Sequence, residues 1–421
     1  MQAFMVRTSS AGHPARRWVR RGAALVRRTR QALVAATALI ITACAGRSPA
    51  APAPAAVVTE SSLLTRLTAF AGDTMMGREA GSLWNEKATD YIAAQFHALG
   101  VEPAGEGGTY FQVVPGLSPR DPAVSRGAAR NVIGIVRGTD PALSGEFVSI
   151  TAHNDHIGFN HRPVDHDSLR AFNAIIRPLG ADSRPHPPSA AERRQINRIL
   201  DSLRALRPPR PDSIYNGADD DGSGTIALIE IAQAFARTGH RPRRSILLVS
   251  HTGEEKGLIG SAWFTDHPTV PLDSIVAEID VDMIGRGAAS DIAKGGPAYL
   301  EVVGLRRLST EFGDWFEAAN AREPQPFVFD YEYDAPGHPE QYYCRADHYN
   351  YARYGIPSVS LSRGSHRDYH QVTDESQYID YPDYARLVQM VLDAATFVAN
   401  ADHRPRLDGP KPTNPHVPCR Q

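Results

Sequence analysis

Three consecutive aspartates, Asp219, Asp220 and Asp221, stand between Gly217 and Gly222, just ahead of an apolar run that begins near Thr225. Like charges this close repel, and each carboxylate resists leaving water unless something positive sits among them. A divalent cation is the simplest relief, so the segment reads as a metal loop. It reads equally as a helix cap, because Asp and Ser accept from the free N–H groups of a first turn. Other segments carry groups of the same kind: His153-Asn-Asp155-His156, His251-Thr-Gly-Glu254-Glu255, Asp280-Val-Asp282-Met283, and His366 followed by Tyr369-His370. Taken singly, each has a bland alternative as a surface pair, a solvated face, a turn or a cap. Three cysteines without a Cys-x-x-Cys pair leave His, Asp and Glu as the ligands of any metal, which points to catalysis more than to a structural zinc.

Apolar strands must position these groups. Residues 131–138, 146–153, 245–250, 275–283, 299–303 and 357–361 read as strands. Helical spacing covers 86–99, 225–236, about 308–319 and 384–398. Strands alternating with helices predict a three-layer α/β/α sandwich around a mixed, mostly parallel sheet. In open sheets of this class, sites form at the carboxyl ends of the strands. Five successive loops deliver a His or carboxylate to that edge, and their joint placement makes chance implausible. Residues 159–215 form an insertion far longer than a usual connection. Its one clear helix begins at a Ser189/Glu192 capping box, with Ile196, Ile199, Leu200, Leu203 and Leu206 on its apolar side. The insertion is either a lid over the site or a peripheral decoration. One domain over residues 60–402, with an irregular tail over 403–421, accounts for the rest.

The ordered set resembles the co-catalytic zinc metallopeptidase family of bacterial aminopeptidases, glutamate carboxypeptidase and glutaminyl cyclase. That family's pattern is His-x-Asp, Asp-x-x-Ser-Gly, Glu-Glu, Asp-Met and a late His. It stands here as His153-Asn-Asp155, Asp220-Asp-Gly-Ser223-Gly224, Glu254-Glu255, Asp282-Met283 and Tyr369-His370. The resemblance implies two Zn2+ ions bridged by Asp220, one completed by His153 and Asp282, the other by Glu255 and His370. It implies Glu254 as general base and Asp155 as the acceptor that fixes the His153 tautomer. Arg345-Ala-Asp347-His348 resembles a Ser-Asp-His pocket motif of the family, implying Arg345, Asp347 and His348 as substrate-binding residues. Asp280 stands where the family more often has Asn, adding a negative charge near Asp282. Cys344, beside the pocket motif, reads as a buried thiol and not a nucleophile.

The chain has 421 residues, 42% hydrophobic and 22% charged, with a formal net charge of −2. That balance offers no electrostatic case for nucleic acid. Eight arginines between Arg7 and Arg30 precede an apolar run from Ala32 to Ile41 that is too short to span a bilayer. With Cys44 directly after it, residues 1–43 resemble a bacterial lipoprotein signal, and 44–59 a low-complexity tether. The expectation is an exported protein, lipid-anchored through Cys44 in the cell envelope and facing the periplasm or exterior. Its expected activity is exopeptidase action on peptides, most simply as an aminopeptidase. A carboxypeptidase or dipeptidase of the same fold and an inactive receptor-like domain are the rivals. Retention of all five ligands and Glu254 speaks against the inactive form.

Overall fold

The strands nearest the aspartate loop are buried at every position: Phe147–His153, Ser245–His251 and Ile275–Val281 each show seven buried residues in a row. Only a sheet covered on both faces can absorb such runs. The computed structural model of the chain describes residues 58–421 other than Ala293. The expected leader, Cys44 and nearly all of the tether lie outside the described residues.

In chain order the strands are β1 (Glu102–Pro103), β2 (Phe111–Val113), β3 (Arg130–Val136), β4 (Phe147–His153), β5 (Gly158–Asp165), β6 (Pro211–Tyr215), β7 (Ser245–His251), β8 (Ile275–Val281), β9 (Tyr299–Val303), β10 (Val328–Asp330) and β11 (Ser358–Ser362). The main sheet runs β1-β3-β7-β4-β8-β11-β9-β10, with β2 also on β3. Its central block β7-β4-β8-β11 is parallel, while β3 and β9 flank it antiparallel. The sheet is therefore mixed: the strands that end at the site run parallel, and a second parallel pair, β9 with β10, lies at its edge.

Helices α1 (Glu60–Phe70), α2 (Leu83–Ala98) and, further along, α5 (Gly222–Thr238), α7 (Thr310–Asn320) and α9 (Tyr381–Asn400) supply one apolar layer. The shorter α6 (Ile259–Asp266) and α8 (His348–Ala352) supply the other, through Phe264 and Tyr351. Helix α5 starts because Asp221 accepts the Gly224 N–H, and it stops at Gly239 in the left-handed conformation. Its buried residues run from Gly222 to Phe235, so the helix behind the aspartate loop is a fixed support.

The insertion folds as a hairpin, β5 with β6, carrying α3 (His166–Ile176) and α4 (Ala190–Leu206). Helix α4 has both halves of the capping box. Its apolar residues are only half-buried, and Leu206 stays 81% exposed. Helix α3 is the docked part. Arg170 binds the Asp368 carboxylate through two 3.1 Å contacts, Asn173 donates to the Arg367 carbonyl at 3.1 Å, and the Ala181 N–H donates to the Tyr369 carbonyl at 3.0 Å. The insertion thus braces the loop that carries His370.

Cys344 is not a free thiol, contrary to the sequence reading: it forms a disulfide with Cys419. The tail folds back over the domain, and Gln421 donates to the Tyr333 carbonyl at 2.9 Å. Chain entropy assigns a crosslink over 75 residues about 4 kcal/mol. Such bonds persist chiefly in oxidising compartments. Among the described residues, no helix is long and apolar enough to cross a membrane.

Candidate metal centre

The aspartate loop divides its labour. Asp221 turns inward, where its carboxylate accepts the N–H groups of Gly224 (2.8 Å), His153 (3.0 Å) and Met283 (3.3 Å). One side chain thereby ties α5, the end of β4 and the end of β8 together. Asp219 accepts from the Gly285 N–H at 2.6 Å and lies 3.0 Å from His366 Nε2. Asp374 in turn accepts the N–H groups of Asp219 (2.9 Å) and Asp220 (3.1 Å). Arg78, fully buried, donates to the carbonyls of Asn154 (3.2 Å), Asn216 (2.6 Å) and Gly217 (2.8 Å), joining the β4 loop to the aspartate loop. Asp220 alone is left facing the cleft.

Two clusters meet at Asp220, in which His153, Asp220 and Asp282 form one and His156, Asp220, Glu255 and His370 the other. Within each, the donor atoms lie within 4.8 Å of one another. His153 Nε2 is 3.1 Å from Asp220 Oδ1 and 3.8 Å from Asp282 Oδ1. His370 Nε2 is 3.0 Å from both Asp220 Oδ2 and Glu255 Oε2. The two oxygens of Asp220 therefore address different clusters. His153 Nε2, Asp220 Oδ2, Glu255 Oε1, Asp282 Oδ1 and both ring nitrogens of His156 are buried without a properly aligned hydrogen bond. Orphaned polar atoms converging on two points, all imidazole or carboxylate, are a donor set that fits zinc or a similar divalent ion.

Electrostatics give the same picture. Burial pushes Asp220 up, yet His156, His153 and His370 outweigh it and hold its carboxyl well below the usual range. Burial would lower His370, but Asp220 and Glu255 push it up to about 10. His153 likewise rises against its burial, through Asp220 and Asp282. The pocket is built to hold positive charge, as protons on the histidines or as cations in their place.

Glu254 belongs to neither cluster. Its carboxylate lies 3.9 Å from His153 Nε2, on the cleft wall, and burial pushes it well above the ordinary carboxylate range. Asp155 departs from expectation in detail. The group within hydrogen-bond range of His153 Nδ1 is the Asp155 backbone carbonyl, at 3.1 Å, while the carboxylate is 3.8 Å away. That carboxylate instead accepts the Glu254 N–H at 3.2 Å, so Asp155 positions the base as much as the ligand.

His156 has no assigned role in the sequence reading although it closes the His153-Asn-Asp155-His156 run. Here it is buried, with Nδ1 2.6 Å from Glu255 Oε1 and 3.7 Å from Asp220 Oδ2. Its position three residues after His153, past the end of β4, was the available signal. Of the three pocket candidates, only Arg345 lines the cleft. Asp347 (2% exposed) and His348 (0%) sit behind the wall: α8 turns them inward, and Asp347 binds the Ser261 hydroxyl. Asp280 is buried in a row with Glu278. Burial, Asp347 and Asp282 push its carboxyl well above the carboxylate range, and the Thr151 hydroxyl lies 3.0 Å from it.

A mixed α/β sheet whose strand ends gather two His-carboxylate clusters on a shared aspartate is a scaffold suited to a metal-dependent hydrolase. The chain belongs to peptidase family M28, whose model matches residues 131–395, more than half of the chain. Over 81 residues it is 43% identical to a probable glutamate carboxypeptidase of Arabidopsis thaliana, covering 18% of this chain and 12% of that protein. Over 139 residues it is 33% identical to the mouse (Mus musculus) aminopeptidase NAALADL1, covering 30% and 19%. The chain thus spans less than a fifth of the length of these curated relatives. Among solved structures it is similar in fold to a leucine aminopeptidase precursor of Bacteroides thetaiotaomicron, at TM-score 0.53 and 17% identity over 80% of this chain and 97% of that one. It is equally similar to a glutaminyl cyclase of Porphyromonas gingivalis, at TM-score 0.52 and 19% identity over 81% and 98%.

Proposed function

We propose that the chain is a zinc-dependent exopeptidase that holds two Zn2+ ions and, within that group, an aminopeptidase acting on peptides. One observation carries the proposal: Asp220 is shared between two donor clusters while a carboxylate that joins neither, Glu254, stands beside them on an open cleft. Cations bound there supply an acidified water and a polarised scissile carbonyl. His153 and Asp282 would hold one ion, Glu255, His370 and His156 the other, with Asp220 contributing to both.

Glu254 then does what a ligand cannot. Standing on the cleft wall outside both clusters, it would take the proton of the attacking water and return it to the leaving amine. The Asp155 carboxylate keeps the Glu254 backbone in place for both transfers. Met283, Val303 and Tyr369 line the cleft and offer apolar surface to the bound peptide.

Arg345 would serve a carboxypeptidase as anchor for the substrate's α-carboxylate. It is instead occupied by Asp182 of the insertion, at 3.2 Å, and lies 3.9 Å from Glu340. Attack from the amino end, where an acidic cleft meets an α-ammonium, is the better match. A digest of a mixed-sequence peptide library, scored by mass, tests this reading. Stepwise loss from the amino terminus is expected. Loss from the carboxyl terminus would make Arg345 the anchor after all, and absence of any cleavage would leave a binding domain.

A further inference from the structure

The cleft, of about 390 Å³, is lined by six carboxylates. Asp220, Glu255 and Asp282 belong to the donor clusters, and Glu254 stands beside them as the proposed base. Asp182 is held by Arg345 at 3.2 Å and by the Ser365 hydroxyl at 2.8 Å. That leaves Glu301. Its residue is 5% exposed, and its carboxyl group makes no hydrogen bond or ion pair among the described residues. Asp330, the cross-strand neighbour of Glu301 on β10, already takes Lys294 at 3.2 Å. A carboxyl group that opens onto a substrate cleft without a protein partner is free to receive a cationic group of a ligand.

Sheet register says what could reach it. Leu361 pairs with Val281 across the parallel β8–β11 ladder, so Ser362 stands level with Asp282. Ser362 pairs with Glu301 on β9, and Glu301 with Asp330 on β10. Cross-strand partners share a sheet face, so a row runs from the ligand Asp282 past the Ser362 hydroxyl to Glu301. Two strand spacings make that about 9–10 Å between the backbones of Asp282 and Glu301. A residue whose carbonyl sits at the metal centre would send its side chain along this row. Lysine and arginine have an apolar stem that spans about 6 Å before the charge. Val303, two residues on and on the same face of β9, offers such a stem apolar contact.

We propose that Glu301 is a specificity-determining residue, closing a side-chain pocket that selects a cationic N-terminal residue, lysine or arginine. The inference rests on the exopeptidase reading for the orientation of the substrate. Burial, Asp330 and Asp282 push the Glu301 carboxyl up to about 8, so its charge emerges most readily beside an incoming cation. Shape alone would admit norleucine as well as lysine. The carboxyl group discriminates between them by a charge-assisted hydrogen bond.

Calorimetric binding of L-lysinamide and L-norleucinamide to the zinc-loaded protein tests the pocket apart from turnover. The two probes differ in the terminal charge. Wild type is expected to bind lysinamide about 10- to 100-fold more tightly, and Glu301→Gln to bring the ratio to near one with zinc content and circular dichroism as in wild type. Equal affinity in wild type overturns the proposal without needing the variant. A lysine preference that survives Glu301→Gln overturns it as well. Kinetics on Lys- and Leu-terminated peptides separate the two levels. Cleavage without lysine preference removes the pocket and keeps the peptidase, whereas Glu301-dependent lysinamide binding in a protein that cleaves nothing keeps the pocket and removes the peptidase.

Discussion

Glu254→Gln is expected to lower peptide hydrolysis by about a thousandfold or more while zinc content stays at the wild-type value. Glutamine matches the shape of the side chain and keeps its backbone N–H on Asp155, so the cleft is preserved. What disappears is a carboxylate that stands beside both donor clusters, 3.9 Å from His153 Nε2, without joining either. Burial keeps this group high in pKa, which suits a carboxylate that must hold a proton between attack and departure of the amine. The pairing of kcat with metal analysis decides the assignment. A variant that loses zinc together with activity would move Glu254 into the ligand set.

Asp220→Ala should be the most damaging single change to the metal centre. Its Oδ1 faces His153 and its Oδ2 faces His370, so removing one side chain deprives both clusters at once. Metal content is expected to fall well below one ion per chain, and activity by roughly four orders of magnitude, since water activation and carbonyl polarisation are lost together. Asp282→Ala, by contrast, touches one cluster only and should spare the other ion. Equal zinc loss in the two variants would show that Asp220 is not shared. Folding should tolerate Asp220→Ala, because the loop is tied down by its neighbours: Asp221 holds three backbone N–H groups and Asp219 holds Gly285.

The sequence exposed what local patterns encode. Apolar runs such as Ser245–His251 are continuous because both faces of the sheet are covered, and they mark the central strands to within a residue or two. The Ser189/Glu192 box fixed the start of α4, and the order of His and carboxylate motifs at strand ends brought His153, Asp220, Glu255, Asp282 and His370 together. Properties set by distant contacts stayed hidden. The hairpin strand Gly158–Asp165 is mostly exposed, contains Pro163 and lacks alternation. The disulfide depends on a tail that returns over 75 residues. His156 looks like any histidine after a strand until Glu255 is brought to 2.6 Å. Asp347 and His348 follow a pocket-like motif, yet the direction in which α8 turns them is a matter of packing against Ser261, not of spelling. Glu301 has no local signature, since its place in the cleft emerges only when β9 pairs with β11 and sets it level with Ser362.

Zinc titration of the metal-free protein, read by peptide hydrolysis, tests the central claim most directly. The account predicts no turnover after exhaustive chelation, and activity restored to a plateau as the second equivalent of zinc is bound, with both equivalents lost in Asp220→Ala. Full hydrolysis in chelated protein carrying less than about a tenth of an ion per chain would contradict a metal centre at these residues.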